Sequence, residues 1–168
     1  MIACTVLVQG TRLCPSCGGR RMAERAAHLV DHVLPDVPVR QWVLSLPHRL
    51  RYLLAWDHDL CRMVVRVYVR AVLGFLRERA RRDGMADGRS GAVAIIQRFG
   101  GALNLNIHIH ALVIDGVFVD DGAGLRFRPA RRLTRDEVGE VVAVVARRIE
   151  RLLARPRHDG DVGGERRD

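Results

Sequence analysis

The segment AVAIIQRFGGALNLNIHIHALV, residues 92–113, decides the fold. Two apolar runs, 92–99 and 103–113, flank Gly100-Gly101, the layout of two antiparallel strands joined by a short turn. Side chains alternate across a strand, so Leu105, Ile107, Ile109 and Ala111 point into a core. Asn104, Asn106, His108 and His110 then share the other face. With the turn centred near residues 102 and 103, Gln97 falls opposite His108 on that same face. Two imidazoles in an H-x-H pattern on a strand stand about 7 Å apart. In their neutral form they can chelate one divalent metal, and Gln97 is the candidate third ligand. The competing reading is a polar sheet surface facing solvent. Asp115 has odd parity and leaves the histidine face unless a bulge intervenes.

Outward from this hairpin, Val39–Leu46 reads as a strand ended by Pro47, with Trp42, Leu44 and Leu46 on one face. Asp57 or Asp59 caps a long helix that runs to about Arg82 and stops at Asp83-Gly84. Leu60, Val64, Val67 and Ala71 form its apolar side. Arg62, Arg66 and Arg70, four residues apart, form a cationic stripe that can track a DNA backbone or simply be a solvated face. Val117-Phe118-Val119 opens a turn-rich segment, and Leu125–Arg128 is a short edge strand. Thr134 and Glu137 carry a capping-box signature for a last helix to about Leu153, with Val138, Val141, Val145 and Ile149 inward. A helix is expected from about Arg20 to Leu34, stopped by Pro35. Residues 1–13 show no clear period. The expected class is α+β, an antiparallel sheet with helices on one face.

The chain has 168 residues, enough for one domain with a core that needs no disulfides. No apolar run reaches the ~20 residues of a membrane span, and polar residues interrupt the apolar start, so the chain reads as soluble and cytoplasmic, with no membrane partner. Arginine supplies all 28 cations against 19 acids, for a net charge of +9. Codon bias accounts for arginine over lysine, but the excess itself suits a polyanionic partner. Four cysteines, Cys4, Cys14, Cys17 and Cys61, are read as free or metal-bound. Cys14 and Cys17 sit on a tight C-P-S-C-G-G knuckle. His28 and His32, four residues apart, are either its completing ligands in a Cys₂His₂ site or ordinary surface residues. Cys61, inside the long helix, reads as a small buried thiol.

His108-Ile109-His110 resembles the HUH motif of rolling-circle nucleases and transposases. The wider wording is closer still. Cys14-Pro15-Ser16-Cys17-Gly18-Gly19-Arg20-Arg21-Met22, Arg40-Gln41-Trp42-Val43-Leu44-Ser45-Leu46-Pro47, Gln97-Arg98-Phe99-Gly100 and Ala102 through His110 together resemble the paired-tyrosine HUH transposases of bacterial insertion sequences, which carry an N-terminal zinc-binding domain. The resemblance spans about residues 14–153. It implies an HUH/RRM-like palm over 36–154, preceded by a partial zinc-binding segment over 1–35; the polar, Gly-rich composition beyond it reads as a disordered tail over 155–168. It also implies Mg²⁺ or Mn²⁺ on His108 and His110, with Gln97 added from the hairpin register. Zinc would sit on Cys14 and Cys17, and the substrate would be single-stranded DNA at insertion-sequence ends.

The family's nucleophilic tyrosines lie downstream of the HUH strand. The only tyrosines here, Tyr52 and Tyr68, lie upstream. The expectation is a truncated copy that cannot form the covalent intermediate alone, with a full-length transposase as a further partner. The alternative is a non-catalytic basic module that binds single-stranded nucleic acid. It is disfavoured because such sheets usually display aromatics for base stacking, and the hairpin face shows Asn and His. A His-dependent phosphohydrolase lacks further identifiable catalytic groups.

Overall fold

The computed structural model describes residues 4–8, 24, 27–99 and 105–155. Six strands and three α-helices are laid out as β1 (Cys4–Val8), β2 (Val39–Ser45), α1 (His48–Trp56), α2 (His58–Arg82), β3 (Ala92–Phe99), β4 (Leu105–Ile114), β5 (Gly116–Asp120), β6 (Leu125–Pro129) and α3 (Arg135–Leu153). The main sheet has the order β1-β3-β4-β2. β3 and β2 both run antiparallel to β4, whereas β1 runs parallel to β3. Helices cover one face of this sheet, as the α+β expectation requires. Ile107, Ile109 and Ala111 of β4 join one core cluster with Val64, Val65, Val72 and Leu73 of α2 and Val141, Val145 and Ile149 of α3.

Local sequence explains the helix limits. Asp57 ends α1, its N–H donating to the Leu53 carbonyl at 3.0 Å. The same residue starts α2, its carboxylate accepting from the Leu60 N–H at 2.8 Å. At the other end of α2, Asp83 follows the last turn and Gly84 takes φ +81°, the left-handed conformation that glycine adopts without steric cost. Thr134 and Glu137 form the reciprocal capping box at the start of α3.

Four features differ from the sequence reading. β1 falls in a stretch expected to be featureless, because the five-residue run Cys4–Val8 is too short and too uniformly apolar to show a period. It adds a parallel edge to an otherwise antiparallel sheet. α1 was not foreseen; its Leu50, Leu53 and Leu54 carry helical spacing over only nine residues. The segment after Gly116 is a strand, pairing with β6 from Gly116↔Pro129 to Asp120↔Leu125. Of the helix expected over 20–34, residues 27–33 are described as helical except that Leu29–Val33 winds as a π-helix, with the Leu34 N–H donating to the Leu29 carbonyl at 2.8 Å. Cys14, Cys17, Asn104, the hairpin turn and the tail from Pro156 lie outside the described residues.

Candidate metal and nucleic-acid site

The register of the sheet assembles the site. Gln97 on β3 and Ser45 on β2 both pair with His108, so Ser45, His108 and Gln97 form one row across the sheet. The neighbouring row is Val43, His110 and Ile95. Paired residues share a face, and this face lies away from the helices because Ile107, Ile109 and Ala111, of opposite parity, are fully buried. The sequence-derived opposition of positions 97 and 108 thus matches the observed register. Asp115 does not join them. It closes a bidentate ion pair with Arg40, with Nε–Oδ1 at 2.9 Å and Nη2–Oδ2 at 2.6 Å.

The two imidazoles lean together, with ring centroids 4.7 Å apart and planes at 64°. His108 Nδ1 lies 2.8 Å from the Asn106 carbonyl oxygen. A carbonyl only accepts, so Nδ1 carries the proton and Nε2 keeps its lone pair. His110 Nδ1 lies 2.6 Å from the Gln41 side-chain amide. Its Nε2 is enclosed and has no hydrogen-bond partner. Turning the Gln41 amide so that its oxygen faces the ring makes Nδ1–H the donor and leaves a lone pair on the enclosed Nε2. Burial, reinforced by neighbouring His108, lowers the His110 pKa below its ordinary 6.5, which favours the neutral imidazole that a metal needs.

These observations fit a divalent cation. Two imidazole nitrogens with lone pairs, with Gln97 paired beside them on the same face, are donors of the kind a first-row divalent ion takes. Among the described residues no three His, Cys, Asp or Glu side chains cluster to hold a metal, and Gln97 is the candidate for the further donor that His108 and His110 would need. A supporting contact fixes its border. Arg51 on α1 donates to the Asn106 side chain at 2.7 Å. Sequence reasoning missed Gln41 and Arg51. Gln41 becomes visible once β2 is paired with β4, because it shares parity with Val43 and Ser45.

The arginine stripe is not brought to this site. Arg62, Arg66 and Arg70 are exposed on α2, on the helical side of the sheet. Arg62 is ion-paired with Asp59 at 2.9 Å. Tyr68 is buried, its hydroxyl has no partner, and burial raises its pKa. Tyr52 is exposed on α1. Cys61 is a buried thiol, as expected. His28 and His32 are exposed, with ring centroids 5.1 Å apart.

Residues 91–165 match the family model Y2_Tnp, described as "Putative transposase". The matched segment is just under half of the chain and contains Gln97, His108 and His110. Over these residues the chain is similar to transposases. Comparisons with curated proteins and with solved structures each give no significant match. Among the described residues no helix is long and apolar enough to cross a membrane.

Proposed function

We propose that this chain is an HUH-type transposase core that holds single-stranded DNA from insertion-sequence ends against the outward face of its sheet. The observation that carries the reading is the row across β2, β4 and β3, in which Gln97 faces His108 beside the enclosed, unpartnered Nε2 of His110. His108, His110 and Gln97 would hold Mg²⁺ or Mn²⁺. When bound, the cation supplies Lewis-acid polarisation of a phosphate oxygen. The chain's own residues orient the donors: the Asn106 carbonyl fixes the His108 tautomer, Gln41 holds His110, and Arg51 holds Asn106. The transposase likeness of residues 91–165 supports the same reading.

Neither tyrosine matches the position of a nucleophile in the paired-tyrosine enzymes, and Tyr68 is buried. In this reading the described core positions DNA, neither Tyr52 nor Tyr68 forms a phosphotyrosine link, and a full-length transposase is a candidate partner. The N-terminal knuckle, Cys14 and Cys17, is a zinc site in this proposal. Metal analysis giving less than about half an equivalent of zinc rejects that part.

The central test is DNA binding and cleavage in Mn²⁺ and in EDTA, using single-stranded element ends. The expected result is that positioning on the histidine face requires the metal and that no denaturation-resistant adduct forms. Equal binding in EDTA by wild type and by a His108→Ala, His110→Ala double variant favours the metal-independent binding module. A covalent adduct overturns the claim that neither Tyr52 nor Tyr68 acts as a nucleophile.

A further inference from the structure

On the helical side of the sheet, α2 and α3 enclose a cleft of about 340 Å³ lined by Val67, Arg70, Arg148, Arg151, Leu152 and Arg155. Four of its six lining residues are arginines, one from α2, two from α3 and Arg155 just beyond α3, and no described carboxylate lines it. Their spacing explains the convergence. Arg148 and Arg151 stand at i and i+3 on one side of α3, and Arg155 follows just beyond its last turn. Arg70 sits mid-way along α2, and Val67 and Leu152 form the apolar floor, partly buried against the core. Glu150 is turned to the other side of α3, where it lines the groove against β2.

A C-terminal helix dipole accounts for cations in the last turns of α3. It does not account for Arg70, which comes from the middle of another helix. Several described acids pair elsewhere: Asp59 with Arg62, Glu78 with Arg81 and Arg82, Asp83 with Arg131 and Glu137 with Arg79. Among the described residues the four cleft arginines have no acidic partner. Like charges gathered around one concavity raise the local positive potential and select an anion that several guanidinium groups can share. Arginine's planar fork matches phosphate oxygens in a bidentate way.

We infer that this cleft is a second phosphodiester-binding site, which holds DNA backbone on the side of the sheet opposite His108 and His110. The two faces together let one molecule contact two separate DNA segments. The site requires no metal. Its binding therefore survives loss of the histidine face, and its failure is distinguishable from failure of the metal reading.

The test measures DNA affinity by fluorescence anisotropy in EDTA over a salt series, with single-stranded and duplex DNA. An Arg148→Gln, Arg151→Gln double variant should lower the slope of log K against log [salt] by about 1–2, since each phosphate contact contributes about 0.7–0.9. Arg→Lys at both positions should restore most of the slope, because the cation count is retained. Mn²⁺ binding measured by calorimetry should be unchanged in both variants. Circular dichroism and thermal unfolding confirm that the exposed substitutions leave the fold intact. A control pair on β6, Arg126→Gln with Arg128→Gln, removes the same formal charge; an equal loss there means diffuse charge alone and overturns the site. An unchanged slope in the Arg148, Arg151 variant also overturns it. Displacement of DNA by low-millimolar inorganic phosphate would assign the cleft to a small free anion instead of a backbone.

Discussion

His110 and Glu137 show how one side chain is set by its neighbours. His110 is kept neutral by burial and by His108, and its ring is held by Gln41. Replacing Gln41 by Ala removes that hold while leaving both imidazoles in place. Partners of this kind typically contribute 10–100-fold to metal affinity, so Gln41→Ala should weaken Mn²⁺ binding by about that factor in a calorimetric titration. Glu137 is held below its ordinary pKa, first by the Thr134 backbone N–H and then by Arg79. Arg79 is buried, lies 3.0 Å from the carboxylate, and also donates to the Arg131 and Arg132 carbonyls. A depressed carboxylate stabilises the fold above its unfolded pKa of 4.5 and loses that contribution as pH falls through the lower folded value. Glu137→Gln should therefore reduce the melting temperature at pH 7 and flatten its decline below pH 4.5. The same acid slope in both proteins would show that Arg79 does not depend on this charge.

At the scale of elements, the β5–β6 hairpin is the joint most sensitive to a single atom. It is tied to the chain before β3 through Arg89 and Phe118, whose backbone groups exchange hydrogen bonds of 2.9 and 2.7 Å. A Cβ on Gly116 would overlap the Arg128 carbonyl oxygen and stand 2.6 Å from the Phe127 ring. Backbone cannot shift there without breaking the Gly116↔Pro129 end of the pair. Gly116→Ala should therefore cost about 1–3 kcal/mol, the range for overpacking. In urea unfolding this appears as a lower midpoint with an unchanged m-value. The helices were legible where their signals were local. The Asp57 cap, the Asp83-Gly84 stop and the Thr134–Glu137 box are each written within a few residues. α1 escaped because it is short, and β1 because its partner β3 lies nearly ninety positions along the chain.

For the whole molecule, the donors of the proposed site come from two strands, β3 and β4, that meet only in the folded sheet, so cation binding there would be coupled to folding. A ligand that binds only the folded state at 100 times its dissociation constant adds about 2.7 kcal/mol. Mn²⁺ should accordingly raise the melting temperature of the wild type in a concentration-dependent way. A His108→Ala, His110→Ala double variant should show no such rise; an equal rise would place the cation elsewhere. By itself the sequence determined the alternation that separates His108 and His110 from Ile107 and Ile109, the caps of α2 and α3, and the opposition of Gln97 to His108. These follow from periods of 2 and 3.6 and from short-range turn counting. Only the tertiary structure decided that β2 and β1 flank the hairpin, that Gln41 holds His110 and that Asp115 is taken by Arg40. It also placed the arginines of α2 on the opposite side of the sheet from the histidines, where Arg70 meets Arg148 and Arg151 of α3 and Arg155 just beyond it. Such contacts join residues up to about ninety positions apart, and no local period encodes which of many distant segments will share a core.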